Sequence, residues 1–176
     1  LTLESLRRQI SIVSQDVVLL DATIRENLTY GLPNVSNEAV WAALDAAALK
    51  DFVASLPDGL NARVGEGWGL LSGGQKQRLS IARALARKPE ILVFDDSFSA
   101  LDYRTDAKLR EGLSKQLHDT TKIIVAQRIS TIRHADKIIV LDRGEAVGIG
   151  THEELMRNCD VYREIATSQL SAAELA

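Results

Sequence analysis

Residues 70–102, LLSGGQKQRLSIARALARKPEILVFDDSFSALD, constrain the fold more than any other stretch of the chain. Ser72-Gly73-Gly74-Gln75 has the S-x-x-Q spacing of a capping box, in which Ser72 accepts from the backbone N–H of Gln75 and Gln75 reaches back. Two glycines in a first helical turn cost roughly 1 kcal/mol each relative to alanine, so their presence calls for a compensating role. That role is access. Without Cβ atoms the first-turn N–H groups can be approached closely, and a helix N-terminus favours an anion such as phosphate. The helix carries Leu79, Ala82 and Ala86 and ends near Lys88, because Pro89 disfavours helical backbone just before it.

Ile91-Leu92-Val93-Phe94 is apolar without alternation, the pattern of a strand buried on both faces of a parallel sheet. Asp95 and Asp96 follow at its carboxyl end, where open α/β sheets place their ligands. Two carboxylates there suit a hydrated Mg²⁺ that nucleotide phosphates also hold.

LSGGQ (71–75), ILVFDD (91–96) and SALD (99–102), in this order and spacing, resemble the signature motif, Walker B strand and D-loop of an ABC transporter ATPase domain. The resemblance extends across essentially the whole chain. It implies an α/β fold: a RecA-like parallel-sheet core of the P-loop NTPase kind, here partial, joined to the helical subdomain of the family. On that pattern residues 1–16 form a core strand and Q-loop, 17–88 the helical subdomain, 89–170 the remaining core, and 171–176 a frayed tail. ATP and Mg²⁺ are the implied cofactors. The implied ATP-binding residues are Ser72, Gly73, Gly74, Gln75, Gln15 and Asp102, with Asp95 and Gln15 at the metal. Asp96 and Gln127 fall at the catalytic positions.

A chain of 176 residues with 45% hydrophobic content can bury one sizeable core. Its net charge of −3 comes without a dense Lys/Arg block, which argues against a nucleic-acid partner. Apolar runs stop at about six residues, far short of the ~18 that cross a bilayer, and no signal peptide opens the chain. The single cysteine, Cys159, forms no internal disulfide and reads as an ordinary thiol in a reducing compartment.

In chain order, residues 10–13 alternate as a strand leading to Gln15, which falls at the family's Q-loop. Residues 21–31 resemble the segment that follows the Q-loop in exporters, including its TI-x-EN core. Residues 36–56 read as helical with Ser36 as N-cap, ended by the turn at Pro57-Asp58-Gly59. Val64-Gly65-Glu66-Gly67 resembles the exporter X-loop, which implies that Glu66 couples to a transmembrane domain; Trp68 has no counterpart in that pattern. Residues 103–117 read as a helix and 122–126 as a second buried strand. Residues 136–141 and 145–149 read as strands joined by a turn at 142–144. Thr151-His152-Glu153-Glu154 opens a helix that breaks near Cys159-Asp160. His118, His134 and His152 have no site context, and no Zn²⁺ spacing exists.

Three features depart from the family pattern. No G-x-x-x-x-G-K-[ST] occurs, so the backbone cradle and lysine that hold the phosphates are absent from these residues. The family fold would set that loop's strand between strands 122–126 and 136–141, leaving a gap with unpaired backbone groups. The 176 residues alone are therefore expected to bind ATP poorly and to hydrolyse none. The residue after the Walker B aspartate, usually glutamate, is Asp96; a misplacement of about 1 Å can cost on the order of 100-fold in rate. The switch histidine is replaced by Gln127, a neutral donor of different geometry. LSGGQ is intact. In this family each ATP lies between one domain's Walker motifs and the other's signature motif. The combination resembles the degenerate half of a heterodimeric multidrug-type exporter, seated on the cytoplasmic face of a membrane and partnered by a second ATPase domain and by transmembrane domains. A homodimeric exporter subunit is the alternative. A soluble chromosome-associated ATPase of the same superfamily is a second, but it calls for coiled-coil heptads and a basic surface that this sequence lacks.

Overall fold

A computed structural model of the chain describes residues 2–65, 69–98, 101–117 and 119–170. Two compact units divide at Val125 and Ala126. The expectations for Glu66, Trp68, His118, the Ser99-Ala100 part of the D-loop and the tail from Ser171 lie outside the described residues.

The first unit begins with α1 (Leu3–Gln9) and β1 (Ile10–Val13), followed by the short β2 (Ala22–Thr23) and α2 (Ile24–Thr29). TI-x-EN has a local explanation. Thr23 and Glu26 form a capping box for α2, and Asn27, fully buried, bonds the backbone of the preceding loop. Its Oδ1 accepts from Leu20 N at 2.9 Å, while its Nδ2 donates to Leu20 O at 3.1 Å and to Thr23 O at 3.0 Å. A buried amide left without such partners costs about 1–3 kcal/mol, so this asparagine fixes the path of residues 20–23.

Next come α3 (Asn37–Ala46), capped by Ser36, and α4 (Lys50–Ser55). The helical region is thus two helices, broken where Ala48 takes a left-handed φ of 52°. β3 (Arg63–Val64) pairs antiparallel with β2. Then α5 (Gly73–Ala86) runs 14 residues from the Ser72–Gln75 capping box, both of whose bonds are present. It stops as its sequence dictates: Lys88 is left-handed at φ 48°, and Pro89 follows. Leu79, Ile81, Ala82, Ala84 and Leu85 are buried on several sides of α5, which packs against α2, α3 and β1. Full burial of a leucine or isoleucine stabilises by about 1.5–3 kcal/mol.

β4 (Ile91–Asp95), α6 (Tyr103–Gln116) and β5 (Thr121–Val125) complete the unit. β1, β4 and β5 form a parallel sheet in the order β1-β4-β5. In β4, Leu92 and Phe94 are buried, whereas Ile91 and Val93 are half-buried, so one face is sealed and the other partly open. The expectation of a second buried strand is corrected. Ile123 and Val125 of β5 are 49% and 53% exposed. β5 ends the sheet, pairing only with β4 among the described residues, and an apolar run cannot show whether a covering element exists.

The second unit holds the short α7 (Ile129–Ile132), then β6 (Ile138–Asp142) and β7 (Glu145–Gly150), an antiparallel hairpin. Its turn residues Arg143 and Gly144 both have positive φ, as a two-residue hairpin turn of type I′ requires. α8 (His152–Asn158), with its Thr151–Glu154 capping box, and α9 (Asp160–Gln169) cover one face of the hairpin. Ile138, Val140, Leu155, Tyr162 and Ala166 form that core. No helix among the described residues is long and apolar enough to cross a membrane.

Candidate functional site

The parallel sheet brings the predicted residues of the first unit to the carboxyl ends of adjacent strands. Val13 pairs with Phe94 and Asp95 with Val125, so Gln15 and the Asp95-Asp96 pair leave the sheet on the same side. Gln15 and Asp95 are exposed and Asp96 is half-buried. Asp96 has a left-handed backbone, φ 44°, a conformation that aspartate tolerates better than most residues. Its N–H donates to Val125 O at 2.9 Å.

Behind this edge, Ser97 locks β1 to β4. Its hydroxyl is buried and donates to Val13 O at 2.7 Å, with Asp95 O at 3.2 Å. Gln77 of α5, also buried, donates from Nε2 to Ser14 O at 3.4 Å. Arg83 of α5 donates to Val18 O at 2.9 Å, and partial burial of its guanidinium lowers its pKa. The sequence reading passed over all three. A signal was available for Gln77, which shares a helical stripe with Ile81 and Ala84 at i+4 and i+7 and is therefore a polar residue on an apolar face.

The α5 tip is the second feature. Ser72 Oγ accepts from Gln75 N at 3.3 Å, and Gln75 Oε1 accepts from Ser72 N at 2.8 Å. Ser72 and Gly73 are exposed and Gly74 is half-buried. A Cβ added to Gly73 would meet nothing within 4 Å. Packing among the described residues does not ask for glycine there. Asp102 N-caps α6: its Oδ1 accepts from Thr105 N at 3.0 Å and its Oδ2 from Thr105 Oγ1 at 2.7 Å. Both bonds hold the carboxylate below its usual pKa.

In the second unit Gln127 is exposed, and its carbonyl accepts from Gln169 Nε2 at 2.9 Å. His152, which the sequence left without a role, bonds Tyr162 through Nδ1 at 2.8 Å. No cluster of three or more His, Cys, Asp or Glu among the described residues could hold a metal alone. The carboxylate of Asp95 and the amide oxygen of Gln15 are hard donors of the kind that Mg²⁺ uses, one or two at a time, with water and phosphate for the rest.

Residues 1–99 match the family described as ABC transporter. The chain belongs to the ABC transporter family, as part of its ATP-binding domain. It is 42% identical over 174 residues to a multidrug resistance ABC transporter ATP-binding and permease protein of Lactococcus lactis subsp. cremoris, covering 98% of this chain and 30% of the relative. It is 41% identical over 170 residues to an ATP-dependent lipid A-core flippase of Shewanella frigidimarina, covering 96% of this chain and 28% of that protein. A solved bacterial Atm1-family ABC exporter with ATP bound superposes with a TM-score of 0.90 at 42% identity, over 96% of this chain and 30% of that one. The ABC chain thus spans under a third of the length of these relatives. The match places its fold among the P-loop NTPase domains of ABC exporters.

Proposed function

We propose that the chain is the ATP-binding part of an exporter subunit that drives a small, amphipathic or drug-like compound across a membrane from its cytoplasmic face. The names of the multidrug and lipid-flippase relatives support that class of cargo. The subunit acts with transmembrane domains, which Glu66 engages, and with a second ATPase domain.

One observation supports the assignment of the α5 tip: Gly73 opens a capped helix into space that no described residue fills. The tip, Ser72 to Gln75, offers its N–H groups to the terminal phosphate of an ATP held mainly by the partner domain. Asp95 and Gln15 would hold Mg²⁺ at this chain's own site, and Asp102 shapes the D-loop that borders it. Held there, Mg²⁺ would supply positive charge that offsets the negative charge developing on the phosphates. Asp96, shorter than glutamate, orients water poorly, and Gln127 supplies a neutral contact where histidine is usual. This chain's own site therefore turns over slowly, while its helix tip completes a competent site on a different partner.

In the full transporter, Ser72→Ala or Gly74→Asp should abolish ATP turnover, while Asp96→Ala should change it little. A homodimer is the second reading, favoured by the carboxylate that Asp96 keeps half-buried at the strand end. It predicts that Asp96→Ala is as damaging as the helix-tip changes, and that result would discard the asymmetry.

A further inference from the structure

Five described residues other than glycine take a left-handed φ. Ala48 and Lys88 do so just past the ends of α3 and α5, Arg143 in the hairpin turn, and Asn34 in the loop between α2 and α3. Asp96 differs from them. It follows directly on β4, a strand of the parallel sheet, at the position read above as catalytic. A left-handed backbone at a residue other than glycine persists only where its surroundings hold it. Those surroundings include bonds to both neighbouring strands. Asp96 N donates to Val125 O of β5 at 2.9 Å, and the next residue, Ser97, donates its hydroxyl to Val13 O of β1 at 2.7 Å. Ser97 is 1% exposed and Val13 is fully buried, so water cannot replace that bond. Phe98 then packs its ring against that of Phe94, with centroids 5.0 Å apart, which anchors the turn back onto β4.

The direction in which Cβ leaves the main chain follows from φ and ψ, so this turn decides where the Asp96 carboxylate points. Aspartate has one side-chain torsion fewer than glutamate and cannot recover a lost aim by rotating a longer arm. We infer that Ser97 is a positioning residue: through its bond to Val13 O it holds Asp96 left-handed and so sets the aim of that carboxylate. Were the hydroxyl removed, the peptide joining Asp96 to Ser97 would be tied to a neighbouring strand on one side only. A displacement of about 1 Å in a reacting group can cost on the order of 100-fold in rate, so even a modest loss of aim is measurable. This rests on the role proposed above for Asp96. It gives that short carboxylate a fixed direction, supplied by the residue beside it.

The test uses the full-length transporter, with its partner, in liposomes. Hydrolysis of pre-bound ATP is followed through a single turnover at several ATP concentrations. Asp96→Ala identifies the kinetic phase that depends on this chain's carboxylate. Ser97→Ala is expected to slow that same phase about tenfold while half-saturating ATP stays within about twofold. It should add almost nothing once Asp96 is alanine, whereas a general weakening of the fold would multiply onto Asp96→Ala. Ser97→Cys, close to serine in size but a weak donor, should fall between the two. Hydrolysis unchanged in Ser97→Ala, or slowed equally with and without Asp96, would overturn the inference. Should Ser97→Ala fail to fold, the cycle with Ser97→Cys decides alone. Asp96→Ala by itself separates the two claims. If it slows no phase, the role of Asp96 is wrong and its placement by Ser97 falls with it. If it slows one while the cycle is additive, only the placement falls.

Discussion

His152 begins α8, and its ring meets that of Tyr162 nearly edge-on, with centroids 5.7 Å apart. Burial, and then the charge of Arg133, hold its pKa below the usual 6.5, while Glu153 pulls the other way and His134 adds a small push. The positive end of the helix also disfavours a charged ring. The neutral form is thus preferred in the folded state, and below pH 6.5 the unfolded chain binds more protons than the folded one. The contribution of His152 is complete above that pH. It is lost as pH falls through it, levelling off once the folded form protonates too. Melting temperatures measured from about pH 7.5 to about 5.5 should therefore fall, and His152→Gln should remove much of the fall. Identical slopes for the two proteins would show that the His152–Tyr162 bond is indifferent to protonation.

Between elements, the closest constraint is the crossing of α3 and α6. A Cβ on Gly112 would stand 2.4 Å from Ala46 O and 2.9 Å from Ala46 Cα, so the two backbones touch there. Gly112→Ala should destabilise by about 1–3 kcal/mol. The loss would be seen as a lower urea midpoint at unchanged slope; an unmoved midpoint would mean that the helices slide apart without cost. What the sequence made legible follows from how local each signal is. The Ser72–Gln75 and Thr151–Glu154 caps are written within four residues, and both are present. The Pro89 stop and the order of β4 and α6 are equally local. Ala48 gave no warning of the break between α3 and α4, since alanine favours helix; here it takes φ 52° at the end of α3, where Leu49 N donates back to Leu44 O at 2.8 Å. The openness of β5 was illegible for a different reason: Ile123 and Val125 spell burial whether or not anything lies over them. The places of Asp95, Asp96 and Gln15 beyond strand ends were legible, whereas the roles proposed for them come from the resemblance to the family. Ser97, Gln77 and Arg83 act through carbonyls of distant loops, which carry no side-chain identity to read.

At the scale of the molecule, the first unit has a parallel sheet whose last strand exposes Ile123 and Val125, and the hairpin of the second exposes Ile139, Leu141 and Ile149. Open strand edges and apolar strand faces recruit other chains. The 176-residue polypeptide alone should sediment as a concentration-dependent mixture, and Ile123→Lys should shift it toward monomer. It should also bind Mg²⁺-ATP weakly in equilibrium dialysis; a monomer that binds tightly would refute both expectations. The empty space around Gly73 has a consequence for any search of variants. Alanine or serine at 73 would not lower expression, solubility or melting, and alanine would raise the last, so a screen for well-behaved protein is blind to any loss there. Foldability and competence are written in separate letters at this helix tip, and only an assay with a second subunit present can read the second set.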